Sequence, residues 1–352
     1  MKYSIIVPVF NRPDEVGELL QSLAEQTFRD FEVIIVEDGS KTPCKDVCEP
    51  YAGILDLHYY YKENSGPGQS RNYGADRARG EWLIVLDSDV VLPAGYLAAA
   101  DRELGSHPCC DAWGGPDAAH PSFTPVQKAI SYSMTSFFTT GGIRGGAARA
   151  ALDKFYPRSF NMGIRREVYT RLGGFSKMRF GEDIDFSYRI VEAGCQTRLL
   201  PTAWVWHKRR TDFRKFFRQV YNSGIARINL SKRHPGTLKP VHLLPTVFTV
   251  GVICLALLFV CGLLISSFGG TAANKQLGQT VCQLSLLPLL AYGLIIFADS
   301  ALRNRSLHVG LLSIPAAFVQ LMGYGLGFIE AWWKRCVQGK DEFQAFEKTF
   351  YK

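Results

Sequence analysis

Residues 82–89 read WLIVLDSD, five apolar residues followed by two carboxylates that flank a serine. An apolar run of this length, closed by turn-forming residues, predicts a buried strand. Carboxylates at its C-terminal end would lie at the sheet edge where open α/β folds bind ligands. Asp87 and Asp89 are hard oxygen donors, which suit Mg²⁺ or Mn²⁺ together with substrate phosphates. The stretch therefore indicates a metal–diphosphate site, with an ordinary acidic turn as the alternative.

Residues 3–86 alternate strand-like and helix-like patterns. This alternation predicts an α/β domain with a parallel sheet and crossover helices, and polar residues gathered at the strand ends are typical of a nucleotide site. No G-x-G-x-x-G follows the first strand, which disfavours a dinucleotide-binding dehydrogenase. The predicted strands are 3–9, 31–36, 57–61 and 82–86, and the predicted helices start at Pro13 and run through 71–78.

Three apolar stretches lie late in the chain, at 241–268, 281–298 and 307–333. Each approaches or exceeds the roughly 20 residues that a membrane-spanning helix needs. The second is short and contains Pro288, which allows a kinked or re-entrant segment. The sequence thus predicts a multi-pass protein of the cytoplasmic membrane, with two to three helices at 240–333 and a tail at 334–352. No basic segment with a cleavable apolar core precedes the first strand, so no signal peptide is expected.

The basic residues behind the net charge of +8 cluster before the first apolar stretch. Residues 208–239 carry ten Lys or Arg against one acid, Asp212. By the positive-inside rule this excess places the soluble part in the cytoplasm. Three spans would leave a basic tail, with Lys334 and Arg335, outside; this fits poorly unless its acids offset the charge or one segment does not cross. Because the basic residues adjoin a span, no nucleic-acid partner is needed to explain them.

Residues 211–239 contain a predicted helix with one uninterrupted apolar stripe. A basic helix with an aromatic stripe beside a span is typical of a helix lying in the anionic membrane surface. An ordinary helix packed on the soluble domain is the alternative. The stripe consists of Phe213, Phe216, Phe217, Val220, Tyr221, Gly224, Ile225 and Ile228.

Two further features have weaker patterns. The nine cysteines show no paired C-x-x-C motifs, and we interpret them as free thiols in a reducing cytosol. Residues 109–160 are irregular, and glycine pairs flank Arg144. We expect a mobile loop that closes over an anion there, with a poorly ordered insertion as the alternative.

Several motifs occur together in one order, and in this the chain resembles glycosyltransferase family 2, the inverting enzymes of the GT-A fold. The resemblance covers 3–210 and implies a GT-A catalytic domain, a Rossmann-like fold for nucleotide-diphospho-sugar transferases, at 1–210. Glu37 replaces the Asp that is more usual before Asp38. The matching segments are SIIVPVFN at 4–11, IIVEDGS at 34–40, 64–74, 86–89, 159–175 and GEDID at 181–185.

The resemblance implies a nucleotide-diphosphate sugar donor, for which a UDP-sugar is a family-level expectation. Asp38 would accept a hydrogen bond from the base, Glu37 would lie near the ribose, and Arg71 would approach the nucleotide or its phosphates. Mg²⁺ or Mn²⁺ on Asp89 and Asp87 would stabilise the leaving nucleoside diphosphate. The implied donor-binding residues are Pro8, Val9, Asn11, Glu37, Asp38, Arg71, Asp87 and Ser88.

The second carboxylate site is Glu182-Asp183, at the start of a helix expected at 184–192, where the helix dipole favours ionised carboxylates. The resemblance implies that Asp183 is the general base toward the acceptor hydroxyl and that Glu182 positions the acceptor. Helix capping by Asp183 is the alternative. Asp185 is expected to support the fold. His207 follows a strand-like run and is either a third metal ligand or a structural histidine.

We therefore expect transfer of a single sugar to a hydroxyl of a lipid-linked or other glycan acceptor, in cell-surface polysaccharide or glycolipid synthesis. The Q-x-x-R-W motif of processive synthases is absent at 218–222, and three spans are few for a polymer channel. The alternatives are a polyprenyl-phosphate glycosyl synthase and, from another class, an inactive membrane scaffold that keeps only the fold.

Overall fold

The computed structural model describes residues 1–120, 122–141 and 155–347. Contacts divide the chain into two compact units. The first comprises Met1–Pro121, Gly146–Lys208 and Phe346–Lys352, and the second comprises Ser122–Gly145 and Arg209–Ala345. The anion-closing role expected of Arg144 lies outside the described residues. All nine cysteines are described, and none forms a disulfide.

The first unit is built on a seven-stranded mixed sheet, beside which lies a small second sheet. The strands are β1 (Tyr3–Val9), β2 (Phe31–Asp38), β3 (Asp56–Lys62), β4 (Trp82–Leu86), β5 (Val90–Val91), β6 (Ala112–Gly114), β7 (Asp117–Ala118), β8 (Asn161–Arg165), β9 (Thr197–Leu199) and β10 (Val205–His207). The order in the large sheet is β3-β2-β1-β4-β8-β6-β9, in which the first four strands are parallel and β8 is antiparallel to both neighbours. The small sheet has the order β5-β10-β7.

Helices cover both faces of the large sheet. Ile5 and Val7 contribute to one hydrophobic core and Ile6 to the other, as the alternation along a strand requires. A strand buried on both faces reads as a nearly continuous apolar run, which is why β1, β2 and β4 could be recognised in the sequence. The helices are α1 (Pro13–Ala24), α2 (Lys45–Cys48), α3 (Pro67–Ala75), α4 (Tyr96–Ser106), α7 (Arg166–Arg171) and α8 (Glu182–Glu192), with a 3₁₀ turn at Glu49–Tyr51.

Two predicted helix boundaries were wrong. The helix expected at 71–78 is α3, which begins at Pro67 because Gly66 takes a left-handed φ of 91° and proline favours the first helical position. The helix expected to start at Ile184 is α8, which starts at Glu182 directly after Gly181. The second correction places the catalytic candidates Glu182 and Asp183 in the first turn of α8.

The second unit is helical. Its elements are α5 (Pro125–Thr135), α6 (Phe137–Thr140), α9 (Phe213–Arg233), α10 (Leu244–Phe268), α11 (Ala272–Asn304), α12 (Leu307–Trp332) and most of α13 (Glu342–Phe346), with short turns at Pro240–Leu243 and Trp333–Val337. Three of its helices are long and apolar enough to cross a membrane. The re-entrant segment considered around Pro288 is not formed, because α11 is one 33-residue helix through that proline.

The described parts of 109–160 are more regular than the sequence pattern predicted. They contain β6, β7, α5 and α6, and α5 starts at a capping box between Thr124 and Gln127.

The apolar stripe of α9 packs against a helix that the sequence did not identify as its partner. Val220 and Gly224 pack against α12 rather than facing a membrane, since a Cβ on Gly224 would lie 2.1 Å from the Tyr324 carbonyl oxygen.

Candidate functional site

The candidate site lies at the carboxyl edge of the parallel strands in the first unit. Strands β1, β2 and β4 are neighbours and run in the same direction, so the residues that follow them meet at one edge. Asn11 and Arg12 follow β1, Asp38 ends β2, and 87–89 follows β4. The sheet therefore brings together polar groups that are far apart in the sequence.

Asp87, Asp89 and His207 form a cluster of possible metal ligands. Their ligand atoms all lie within 4.8 Å of one another. Antiparallel pairing of His207 with Val90 brings the imidazole to Asp89, where Nε2 lies 3.2 Å from Oδ1. The ring stacks on Phe160 at 5.0 Å between centroids, which fixes its plane. Two carboxylates and one imidazole fit Mn²⁺ or Mg²⁺ with open positions for phosphate oxygens.

Arg12 is a member of this site that the sequence analysis missed. Its Nη1 donates to Asp89 Oδ2 at 2.5 Å. Burial lowers the pKa of Arg12, but the attraction and hydrogen bond of Asp89, together with the charges of Glu15 and Asp87, outweigh it, so the pKa lies above its ordinary value. The guanidinium is therefore a permanent cation beside the carboxylate that would hold a metal.

Arg71 connects the metal cluster to the second carboxylate site. Its Nη2 donates to Asp87 Oδ1 at 2.8 Å and its Nη1 donates to Glu182 Oε1 at 3.1 Å. The side chain is 4% exposed and lies over the Phe175 ring at 5.1 Å. Its buried Nε has no hydrogen-bond partner among the described residues. One buried cation thus holds a carboxylate from each half of the cleft.

The pKa values of Glu182 and Asp183 are shifted in opposite directions. Burial raises the pKa of Glu182, which Asp183 reinforces and Arg71 only partly offsets. Burial also acts to raise the pKa of Asp183, but the charge and hydrogen bond of Arg158, with help from Arg71 and the Ile184 N–H, together outweigh it and lower that pKa. Arg158 Nε donates to Asp183 Oδ2 at 2.7 Å. Asp183 is therefore ionised at neutral pH, which a proton acceptor requires.

Asp185 has the supporting role expected of it. Its Oδ2 accepts from Ser176 Oγ at 2.6 Å and from Arg189 Nε at 3.1 Å. Arg189 also donates to the Leu172 and Gly174 carbonyl oxygens. This network fixes the loop that precedes α8.

Asp38 organises the turn after β3. Its Oδ1 accepts from Lys62 Nζ at 2.6 Å and from Ser65 N at 2.9 Å, and its Oδ2 accepts from Gly66 N at 2.9 Å. The carboxylate thereby fixes the start of α3, the helix that carries Arg71. Contact of Asp38 with a base remains a prediction.

Glu37 is not brought to the cleft with the metal cluster. Its carboxylate is fully buried and accepts from Ser40 Oγ, from Cys44 N at 2.8 Å and from Tyr59 Oη at 3.3 Å. These bonds hold the loop after β2 in place. A ribose contact for Glu37 stays a prediction, and the geometry gives its carboxylate a structural role.

The remaining donor candidates line the ends of β1 and β4. Asn11 has a left-handed φ of 54°, and its Oδ1 accepts from the backbone N–H groups of Lys41 at 2.7 Å and Thr42 at 3.1 Å. Pro8 is partly exposed, whereas Val9 and Ser88 are buried. Val9 can therefore offer mainly backbone to a ligand.

A second acidic cluster, Glu32, Asp56 and His58, begins β2 and β3 and so lies at the opposite strand ends. Arg79 explains it, because this side chain donates to Glu32 Oε2 at 2.8 Å and to Asp56 Oδ2 at 2.5 Å. These contacts close the amino-terminal edge of the sheet and do not indicate a ligand site.

Comparison with known proteins gives a consistent result. Residues 4–173 match the family model "Glycosyl transferase family 2". A pre-mycofactocin glycosyltransferase of Mycobacterium tuberculosis is 27% identical over 242 residues, which cover 68% of this chain and 49% of the relative. An uncharacterized glycosyltransferase of Haemophilus influenzae is 30% identical over 195 residues, or 54% of this chain and 62% of the relative. The chain thus spans about half the length of the first of these relatives.

A solved structure shows the fold. The mannosyltransferase PcManGT of Pyrobaculum calidifontis, in complex with GDP-Man and Mn²⁺, superposes with a TM-score of 0.54 at 19% identity. The match covers 91% of this chain and 87% of that one. The predicted α/β fold of the GT-A type is confirmed.

Proposed function

From the premise that residues 4–173 form a glycosyltransferase family 2 domain, we propose that the protein transfers a single sugar from a nucleotide-diphosphate sugar. The acceptor is a hydroxyl of a lipid-linked glycan, and the transfer inverts the anomeric configuration. The observation that carries the proposal is the Arg71 bridge. It joins a metal-type cluster on one side of the cleft to the Glu182–Asp183 pair on the other. Single displacement needs these two halves, one for the leaving group and one for the incoming hydroxyl.

On the donor side, Asp87, Asp89 and His207 would hold Mg²⁺ or Mn²⁺. A divalent ion there supplies neutralisation of the charge that develops on the leaving diphosphate. Arg12 adds a second positive group 2.5 Å from Asp89, within reach of the same diphosphate once Asp89 is engaged. The nucleotide base stays open, with a UDP-sugar as the family-level expectation.

On the acceptor side, Asp183 would accept the proton of the attacking hydroxyl. The acceptor oxygen forms a bond to the anomeric carbon, the bond to the diphosphate oxygen breaks, and its electron pair leaves with the nucleoside diphosphate. Arg158 keeps Asp183 ionised and oriented. Glu182, held by Arg71, would position the acceptor.

Replacing Arg158 with glutamine should shift the acid limb of the pH profile to higher pH. The ion pair lowers the pKa of Asp183, so the base is active above that lowered pKa and is lost as pH falls through it. Without the guanidinium the pKa rises, and kcat/KM begins to fall at a higher pH. The check is kcat/KM against pH for both proteins. An unshifted acid limb would mean that Arg158 does not tune the base.

The membrane-type helices support a lipid-linked acceptor. The second unit carries three of them, and extracting a polyprenyl-linked glycan from the bilayer would be costly. The basic residues at 208–239 favour a cytoplasmic catalytic domain on a multi-pass protein. Four retained carboxylates, Asp38, Asp87, Asp89 and Asp183, argue against the scaffold alternative.

Asp183 distinguishes the two enzymatic hypotheses, transfer to a glycan hydroxyl and transfer to polyprenyl phosphate. A polyprenyl phosphate is already anionic at neutral pH and needs no base, whereas a sugar hydroxyl does. Purified protein should transfer labelled sugar to polyprenyl-diphosphate oligosaccharides extracted from cells and leave added polyprenyl phosphate unmodified. The products are separated by chromatography and mass spectrometry. Labelling of the bare lipid phosphate alone would replace the proposal by the polyprenyl-phosphate synthase.

A further inference from the structure

Helix α9 lies beside α12 over most of the length of α12. Phe213 and Leu312 pack against the same apolar cluster, which contains Val309 and Ala316. Glycines let the two backbones approach further along α12, where a Cβ on Gly327 would lie 2.0 Å from the Tyr221 carbonyl oxygen. Near the C-terminal end of α12, Tyr221 Oη donates to Glu330. The two helices therefore run in the same direction and pack side by side.

This partner makes a transmembrane position unfavourable for α12. Helix α9 carries six Lys or Arg among its 21 residues. If α12 crossed the bilayer, α9 would be drawn into the hydrocarbon with it. Arg and Lys are among the residues that insert least favourably at the centre of a membrane helix. Arg214, Lys215 and Arg218 lie in the part of α9 that packs along α12 and would bear the cost of insertion.

The contacts of α12 with the α10–α11 pair lie toward one end of that pair. A Cβ on Gly325 would lie 2.6 Å from the Pro245 carbonyl oxygen at the start of α10, and Ser313 Oγ lies 2.7 Å from Ser300 Oγ near the end of α11. Toward its other end the pair packs on itself, where a Cβ on Gly262 would lie 2.8 Å from the Gly278 carbonyl oxygen. Helix α12 thus lies at the base of a hairpin.

An apolar stripe of α12 is partly exposed, and toward the C-terminal end of the helix it lines a cavity together with Tyr221 of α9. Leu311 is 58% exposed and Trp333, just after the helix, is 52% exposed. A helix that exposes an apolar stripe and packs beside a basic helix is typical of the headgroup–acyl boundary, where tryptophan is favoured. The stripe consists of Leu311, Pro315, Met322, Leu326, Ile329 and Trp333. Phe318, which lies between Pro315 and Met322, packs against Phe248 and Tyr292 of the α10–α11 pair.

We propose that α12 lies in the membrane surface, with its apolar stripe on the acyl chains and α9 on its other side, and that only α10 and α11 cross the bilayer. The partner of this surface is the lipid bilayer itself, and its anionic headgroups suit the basic residues of α9. Both ends of the second unit then lie on one side. The basic tail residues Lys334, Arg335 and Lys340 join the basic residues at 208–239 on that side, which removes the conflict with the positive-inside rule.

Cysteine accessibility tests this topology independently of sugar transfer. Single cysteines are placed in a cysteine-free background at three exposed positions: native Cys109 in the first unit, Gly270→Cys between α10 and α11, and Lys340→Cys after α12. An impermeant maleimide is applied to right-side-out and inside-out vesicles. We expect Lys340→Cys to react from the same side as Cys109 and Gly270→Cys to react from the opposite side.

Protease digestion of the same vesicles, read through a C-terminal epitope on the otherwise unchanged protein, guards against misfolding of the cysteine-free background. The epitope should be digested only in the orientation in which Cys109 is accessible. Reaction of Lys340→Cys from the side of Gly270→Cys, or digestion of the epitope from that side, would show that α12 crosses and would overturn the proposal.

Discussion

Sugar transfer should fall at least about 10³-fold when Asp89 is replaced by alanine. Among the three candidate ligands its side chain is the least exposed, and it is the one that meets both His207 and Arg12. A loss of about 4 kcal/mol of leaving-group stabilisation gives this factor at 1.36 kcal/mol per tenfold change. The measurements are kcat/KM and Mn²⁺ affinity, since both depend on this carboxylate.

Asp56→Asn is the matched control for Asp89→Ala. Asp56 belongs to the other acidic cluster, at the opposite strand ends, and it is ion-paired with Arg79. Its replacement should leave kcat/KM within about twofold, because surface ion pairs contribute little. Thermal unfolding of both variants separates loss of the site from loss of the fold. Unchanged activity and Mn²⁺ affinity in a folded Asp89→Ala protein would remove the metal from the account.

Asp183→Asn should lower kcat by about 10²–10⁴-fold, the usual contribution of a general base. Asparagine keeps the size of the side chain and removes its ability to accept a proton. Because Asp183 lies on the acceptor side, the affinity for donor and metal should stay near that of the unchanged protein. Steady-state transfer rates and donor titration by calorimetry measure the two quantities separately.

Glu192→Gln serves as the control for Asp183→Asn, since Glu192 lies at the other end of the same helix. We expect it to retain transfer within about twofold. If Asp183→Asn lost donor affinity as strongly as kcat, the carboxylate would belong to the donor site. If neither quantity changed, another group would be the base.

The sequence predicted the part of the fold that local pattern controls. Strands β1, β2 and β4 are buried on both faces and therefore read as continuous apolar runs. Because parallel neighbours end at one edge, the carboxylates at 87–89 could be assigned to a cleft from the sequence alone. The match of His207 to that cluster depended on the family resemblance, and the pairing of β10 with β5 explains it.

Residues whose roles depend on long-range pairing were missed. Arg12 donates a hydrogen bond to Asp89, which lies 77 residues away in the sequence, and Arg158 donates one to Asp183, which lies 25 residues away. No periodicity marks either arginine, since each is one of many basic residues in the chain. Glu37 shows the same limit, because the sequence could not reveal that its carboxylate accepts hydrogen bonds that hold the loop after β2, while its predicted ribose contact stays a prediction.

Amphipathicity predicted that the stripe of α9 would be covered but could not identify the cover. The glycines Gly323 and Gly327, which allow α12 to approach it, look like ordinary residues of an apolar stretch when only the sequence is considered. The same limit applied to the apolar stretch at 307–333. Its length and composition are those of a membrane-spanning helix, whereas its packing against the basic helix α9 favours a position in the membrane surface.

The most direct test of the account is turnover of a panel of nucleotide sugars by detergent-purified protein, with Mg²⁺, with Mn²⁺ and with chelator. We expect slow release of one nucleoside diphosphate that requires the divalent ion and is lost in Asp89→Ala. If no donor is bound or turned over with either ion present, the cleft does not use nucleotide sugars and the protein is the scaffold.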